Sequence, residues 1–237
     1  MIQKLKNLIK AVGGVSLQKI IGRRKAFKLL GQYHEQANSI EDRVKWAMNF
    51  GGVGLFRVSA IQQVSEITAL TQAVADLKPK KILEIGTANG GTLLLWSSLA
   101  TEQVISCDIL EKRIQSTFYK AFPPPGSKCK IDLLQGDSHQ SESKQQIQKK
   151  LAGDKVDFLF LDGDHTQVGI TADYEDYKEF VRPGGIIAFH DILESQPHPT
   201  NQVYYLWKDL KENLDTEEFI EDPEQCGYGI GIIRVPA

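Results

Sequence analysis

The chain has 237 residues, 41% hydrophobic and 24% charged, so it can bury a sizeable core and is not dominated by disorder. No run approaches the ~18 consecutive apolar residues that a membrane-spanning helix needs. The net charge of −2 hides a split: residues 1–30 hold eight basic residues and no acid, leaving 20 basic against 30 acidic in the rest, a net of −10, which argues against a general nucleic-acid binder.

In chain order, Ile2, Leu5, Ile9 and Val12 step by three and four, predicting a basic amphipathic helix. Gly13-Gly14 interrupts it, and a second basic helix is expected from Ser16. The plain reading of residues 1–58 is a helical cap or homo-oligomer contact on a main unit at 59–237. The alternative is an interfacial helix on an anionic membrane through residues 1–30. Residues 31–60 read as helix and then loop, with Gly51-Gly52-Val53-Gly54 as a turn, hinge or lid. Ile61, Val64, Ile67, Leu70, Val74 and Leu77 predict a helix over Ser59–Leu77, ended by Pro79.

From Lys80 the pattern alternates. Short apolar, β-rich runs fall at Lys81–Ile85, Gln103–Asp108, Lys130–Leu134, Val156–Leu161 and Gly185–His190, with helical stretches between several of them. This predicts an α/β fold: a Rossmann-like, doubly wound, seven-stranded sheet, mostly parallel and covered on both faces. Glu217–Ile220 and Gly229–Val235, joined through Pro223 and Gly227, predict a C-terminal antiparallel hairpin. The three cysteines, Cys107, Cys129 and Cys226, form no C-x-x-C pair, so a reducing compartment is the simpler reading. With no secretory h-region, a cytoplasmic location is expected. His34, His139 and His198 have no motif context and read as surface or loop residues. Trp46, Trp96 and Trp207 read as packing residues.

Ligands in such sheets bind beyond the carboxyl ends of the strands. Ile82-Leu83-Glu84-Ile85-Gly86-Thr87-Ala88-Asn89-Gly90-Gly91-Thr92 runs from a strand through a glycine-rich turn into a helix. Its glycines fall at 86, 90 and 91 rather than in the G-x-G-x-x-G spacing of dinucleotide binders. Asp108 closes the next strand, where a carboxylate can accept from ribose hydroxyls. Gly136-Asp137-Ser138 follows the third strand. Phe158-Leu159-Phe160-Leu161-Asp162-Gly163-Asp164-His165 follows the fourth, and Ile186-Ile187-Ala188-Phe189-His190-Asp191 closes the fifth. Adjacent fourth and fifth strands bring Asp162, His190 and Asp191 together, and acids so placed repel unless a cation or proton lies between them.

These segments, over roughly Ser59 to Val235, resemble class I S-adenosylmethionine-dependent methyltransferases. The likeness is to the subgroup of macrocin and mycinamicin sugar O-methyltransferases and cephalosporin hydroxylase-like proteins. The resemblance implies that Glu84, Gly86, Thr87, Asn89, Gly90, Gly91, Thr92, Asp108, Gly136, Asp137, Ser138 and Asp162 bind S-adenosylmethionine, with Asp137 at the adenine. It implies a divalent metal, magnesium or manganese, on Asp162, His190 and Asp191, and His165 and Asp162 as proton acceptors. The relatives usually carry an acid where this chain has His190, and imidazole suits manganese, iron or zinc better than magnesium. The implied activity is metal-assisted O-methylation of a saccharide or small diol. A catalytically silent cofactor-binding protein and a cephalosporin hydroxylase-related oxidoreductase are the competing readings.

Overall fold

The computed structural model describes residues 20–111 and 115–237. The expected helices over 2–12 and from Ser16 to residue 19 lie outside the described residues. Helix α1 covers 20–36, followed by α2 (Ile40–Asn49), α3 (Val64–Asp76), β1 (Lys81–Ile85), α4 (Gly91–Leu99) and β2 (Gln103–Asp108). Then come α5 (Ser116–Tyr119), β3 (Lys130–Gln135), α6 (Ser141–Leu151), β4 (Val156–Leu161), α7 (Gln167–Tyr177) and β5 (Val181–His190). Helix α8 (Val203–Asn213) and strands β6 (Thr216–Phe219) and β7 (Ile230–Arg234) complete the chain.

The seven strands form one sheet in the order β3-β2-β1-β4-β5-β7-β6. Strands β1 to β5 pair in parallel, while β7 runs antiparallel to both β5 and β6. The order reverses between β1 and β4, so a crevice opens beyond their carboxyl ends, where doubly wound sheets bind ligands.

Alternation along the buried strands sends side chains into two layers. On one face Ile82, Phe158, Phe160, Ala188 and Ile232 pack with residues of α1 to α4, around Trp96, whose ring lies 5.0 Å from Phe158 and 5.5 Å from Phe160. On the other, Leu83, Ile105, Leu159, Leu161 and Phe189 meet α6, α7 and Trp207 of α8. Helices α1 and α2 contribute Ala26, Leu30, Tyr33, Val44 and Ala47 to the first of these layers. Among the described residues no helix is long and apolar enough to cross a membrane.

Two local expectations are corrected. The helix predicted from Ser59 begins at Val64, because Ser59 and Ala60 are used differently. The Ala60 amide donates to Ala47 O (2.9 Å), and a Cβ on Gly91 would lie 2.0 Å from Ala60 N, so this extended segment is pressed against the start of α4. Ile61, expected on the core face, is exposed. The Gly51–Gly54 segment closes on itself through a Gly51–Val58 bridge. A Cβ on Gly52 would fall 2.1 Å from Phe56 O at a φ of +96°, so glycine is needed for a packed turn.

Candidate active site

A cavity of about 560 Å³, within the ordinary size of a small-molecule site, opens at the sheet's switch point. Gly86, Asp108, Gly136, Asp137, Ser138 and Asp162 line it, joined by His165. Glu84, Thr87, Asn89, Gly90, Gly91 and Thr92 are not among its lining residues; they form the end of β1, the turn and the start of α4 behind it.

That turn is made by backbone geometry. Gly86 sits at φ +98°, and a Cβ there would lie 2.0 Å from Asp162 O, so β1 and β4 can approach only through glycine. Gly90, at φ +73°, precedes α4. Asp108 ties the turn down: its Oδ2 accepts from the Thr87 and Ala88 amides (3.1 and 2.8 Å), and its Oδ1 from the Leu110 amide (2.6 Å). Ile109 and Leu110 beside it are exposed at the cavity rim. Glu84 is fully buried, with Ser106 Oγ donating to Oε2 at 2.5 Å and Thr87 Oγ1 2.6 Å from that hydroxyl. Its Oε1 has no hydrogen bond among the described residues. Burial pushes this carboxyl up to about 7.

The other half of the site is a cluster of acids and imidazoles. Asp162 Oδ1 stands 3.2 Å from His165 Nε2 and 3.1 Å from His190 Nδ1. Asp191 bridges the same rings, with Oδ2 3.4 Å from His165 Nδ1 and Oδ1 3.5 Å from His190 Nδ1. The three sequence-predicted residues Asp162, His190 and Asp191 do come together. The tightest trio of potential ligand atoms, however, is Asp162, His165 and His190, all within 4.8 Å of one another. Asp191 is also held from outside, accepting from the Tyr228 amide (3.1 Å) and Asn201 Nδ2 (2.7 Å), at a left-handed φ of +64°.

Burial opposes charge on all three trio members, yet their mutual attraction prevails. His190 and His165 hold the Asp162 carboxyl well below the usual carboxylate range. Asp162 and Asp191 hold His190 up to about 9, and His165 is raised by the same two acids. His165 is the member turned toward the cavity, with 34% of its side chain exposed against 5% for His190. Asp164, also at the cavity, accepts from the Thr166 amide at 2.9 Å.

Sequence reasoning missed several residues here. Gln62 donates to Asp162 Oδ2 (3.0 Å) from the segment before α3. Glu66 is buried and accepts from Gln225 Nε2 and the Glu221 and Gly229 amides, clasping the C-terminal hairpin turn. His139 sits on a loop as expected, but it also lines the cavity beside the buried Asp173. The one available signal was an acid on an apolar stripe, Ile170-Asp173-Tyr174-Tyr177 and Glu66-Ile67-Leu70-Val74.

A switch-point cavity behind a glycine turn, with an acidic strand end on either side, fits the class I S-adenosylmethionine-dependent methyltransferases. The chain belongs to the rhamnosyl O-methyltransferase/CmcI family, whose model matches residues 46–208. Solved structures of similar fold include an O-methyltransferase from Bacillus cereus in complex with SAH, at 16% identity over 70% of this chain and 79% of that one (TM-score 0.53). TomG from Streptomyces achromogenes, an O-methyltransferase of tomaymycin synthesis in complex with SAM, aligns at 12% identity over 84% and 91% (TM-score 0.54). MycE from the mycinamycin biosynthetic pathway, with Mg and SAH, aligns at 18% identity over 71% of this chain (TM-score 0.52). The chain spans about half the length of MycE (48%). A search of curated proteins gives no match.

Proposed function

We propose that this O-methyltransferase transfers the methyl group of S-adenosylmethionine to a hydroxyl of a saccharide or glycoconjugate, with His165 accepting the hydroxyl proton. The observation that carries the reading is the placement of His165, on the cavity wall, with Asp162 and Asp191 on its two ring nitrogens. One carboxylate fixes the ring's orientation and raises its basicity; the other ring nitrogen must leave its carboxylate before it can take the hydroxyl proton. The sulfonium of the cofactor is already activated, so the remaining requirement is alignment of acceptor oxygen, methyl and sulfur. The cofactor would lie along the wall from Gly86 and Asp108 to Asp137.

The donor set also fits a divalent cation. His190 Nδ1 faces carboxylate oxygens of Asp162 and Asp191 at 3.1 and 3.5 Å, and these three residues would hold the ion. An imidazole among the donors favours manganese, iron or zinc over magnesium. Such an ion, when bound, lowers the pKa of a coordinated hydroxyl. Support for a sugar acceptor comes from the rhamnosyl description of the family.

The test is incubation of the purified protein with S-adenosylmethionine and a panel of deoxyhexose glycosides, catechols and sugar-free aglycones. Each is run with manganese, with magnesium or with chelator. Methylated glycoside and S-adenosylhomocysteine in equal amounts support the reading. Methylation of catechols alone would sink the saccharide assignment, and unchanged rates in chelator would sink the metal.

A further inference from the structure

Asp173 lies on the buried face of α7 with no exposed surface, and neither carboxylate oxygen has a hydrogen bond among the described residues. A buried carboxylate left so is costly unless something opposes its charge. Two groups face it: the Ser138 side chain, and His139, whose Nε2 stands 3.3 Å from Asp173 Oδ1 and 3.2 Å from Gly169 O. A carbonyl oxygen only accepts, so Nε2 carries a proton. The other ring nitrogen, Nδ1, lies 3.4 Å from Oδ1 of Asp137. The imidazole therefore stands between a buried carboxylate and a carboxylate on the cavity wall, and it bridges them only with a proton on each ring nitrogen.

The surrounding loop is otherwise fixed through its backbone. Tyr177 donates to Ser138 O at 2.6 Å, and Ser143 Oγ occupies the space a Cβ on Gly136 would need. The Asp137 side chain is 41% exposed and accepts from the His139 amide at 3.0 Å. Its side-chain neighbours are the His139 ring, two residues on, and Gln140, whose Nε2 donates to Oδ2 at 3.4 Å.

We propose that Asp173, acting through His139, is a positioning residue that sets the Asp137 carboxylate to receive the exocyclic amine of the cofactor's adenine. This rests on the reading of Asp137 as the adenine-end residue. Burial, with Asp164 and Asp137 adding negative charge nearby, holds the Asp173 carboxyl up to about 6, against the lowering influence of the Ser138 side chain and His139.

Isothermal titration of the full chain with S-adenosylhomocysteine and with its deaminated analogue, hypoxanthine replacing adenine, tests this. The analogue's oxo group cannot donate to Asp137. The wild type should prefer S-adenosylhomocysteine by about tenfold or more, the scale of one charge-assisted hydrogen bond. Asp137→Ala should abolish that preference, and Asp173→Asn and His139→Gln should each lose most of it. If Asp137→Ala keeps the preference, the adenine-end reading fails and the inference with it. If Asp137→Ala loses the preference while Asp173→Asn and His139→Gln retain it, or weaken both ligands equally, the relay alone is overturned. Should Asp173→Asn fail to fold, His139→Gln decides, since its ring is partly exposed on a loop.

Discussion

The two sides of the cleft use their acids differently. On the β1–β2 side, Asp108 spends both oxygens on the backbone amides of Thr87, Ala88 and Leu110. On the β4–β5 side, Asp162 and Asp191 face imidazoles, His165 and His190. Acids of the first kind shape a loop, and acids of the second kind set the protonation of their neighbours. On the proposed reading, one side holds the ligand and the other moves a proton.

Substitutions across the cleft should separate these roles. The largest effect is expected for Asp162→Asn, which removes the charge facing both His165 and His190. Turnover should fall about 100-fold or more, the scale of a lost general base, while titration with S-adenosylhomocysteine changes little. An equal loss of binding would erase the distinction between the sides. Asp108→Ala should do the reverse. It removes the acceptor that ties Thr87, Ala88 and Leu110 together, so cofactor affinity should drop first, with about 1–3 kcal/mol lost at the buried Thr87 amide in chemical denaturation.

Glu84 offers a pH-based test of the ligand side. Its carboxyl sits at about 7 in the fold against 4.5 as its ordinary value, so the folded state holds a proton that the unfolded chain has released. The Glu84 contribution to stability is therefore full below about pH 4.5 and is lost as pH rises to about 7, roughly 3 kcal/mol in all. Glu84→Gln should flatten that decline in thermal melts at several pH values. An unchanged slope would show that Glu84 is not its source.

The smallest expected effect lies outside the cleft. A Cβ on Gly231 would meet the Trp207 ring at 2.4 Å, so Gly231→Ala should cost about 1–3 kcal/mol by overpacking, leaving cofactor affinity unchanged. A shift in affinity would mean that the two sides are not insulated from the C-terminal strands.

The ligand side was largely legible in the sequence because it is local. Continuous apolar runs set β1 to β5, and Gly86, Asp108 and Asp137 follow their strands directly. The pairing of Asp162 with His190 was legible as well, since parallel neighbours bring strand ends together. Gln62, Glu66 and Asp173 were not. Gln62 meets Asp162 from 100 positions away, and Glu66 meets Gln225 from 159. Such contacts arise only when helices dock, and one polar residue on an apolar helix face does not name its partner. The late start of α3 has the same origin, since Ser59 and Ala60 are claimed by the close approach of Gly91.

The left-handed backbone at Asp191 has a consequence for how that position is probed. Aspartate and asparagine tolerate this region better than alanine does, and glycine occupies it freely. Alanine at 191 would remove a carboxylate and load the chain with torsional strain in the same stroke, so its phenotype would mix chemistry with conformation. Asparagine keeps the torsion and much of the hydrogen bonding while deleting the charge; glycine deletes the side chain without the strain. Measured side by side, the pair would divide electrostatic from conformational contributions at a single residue.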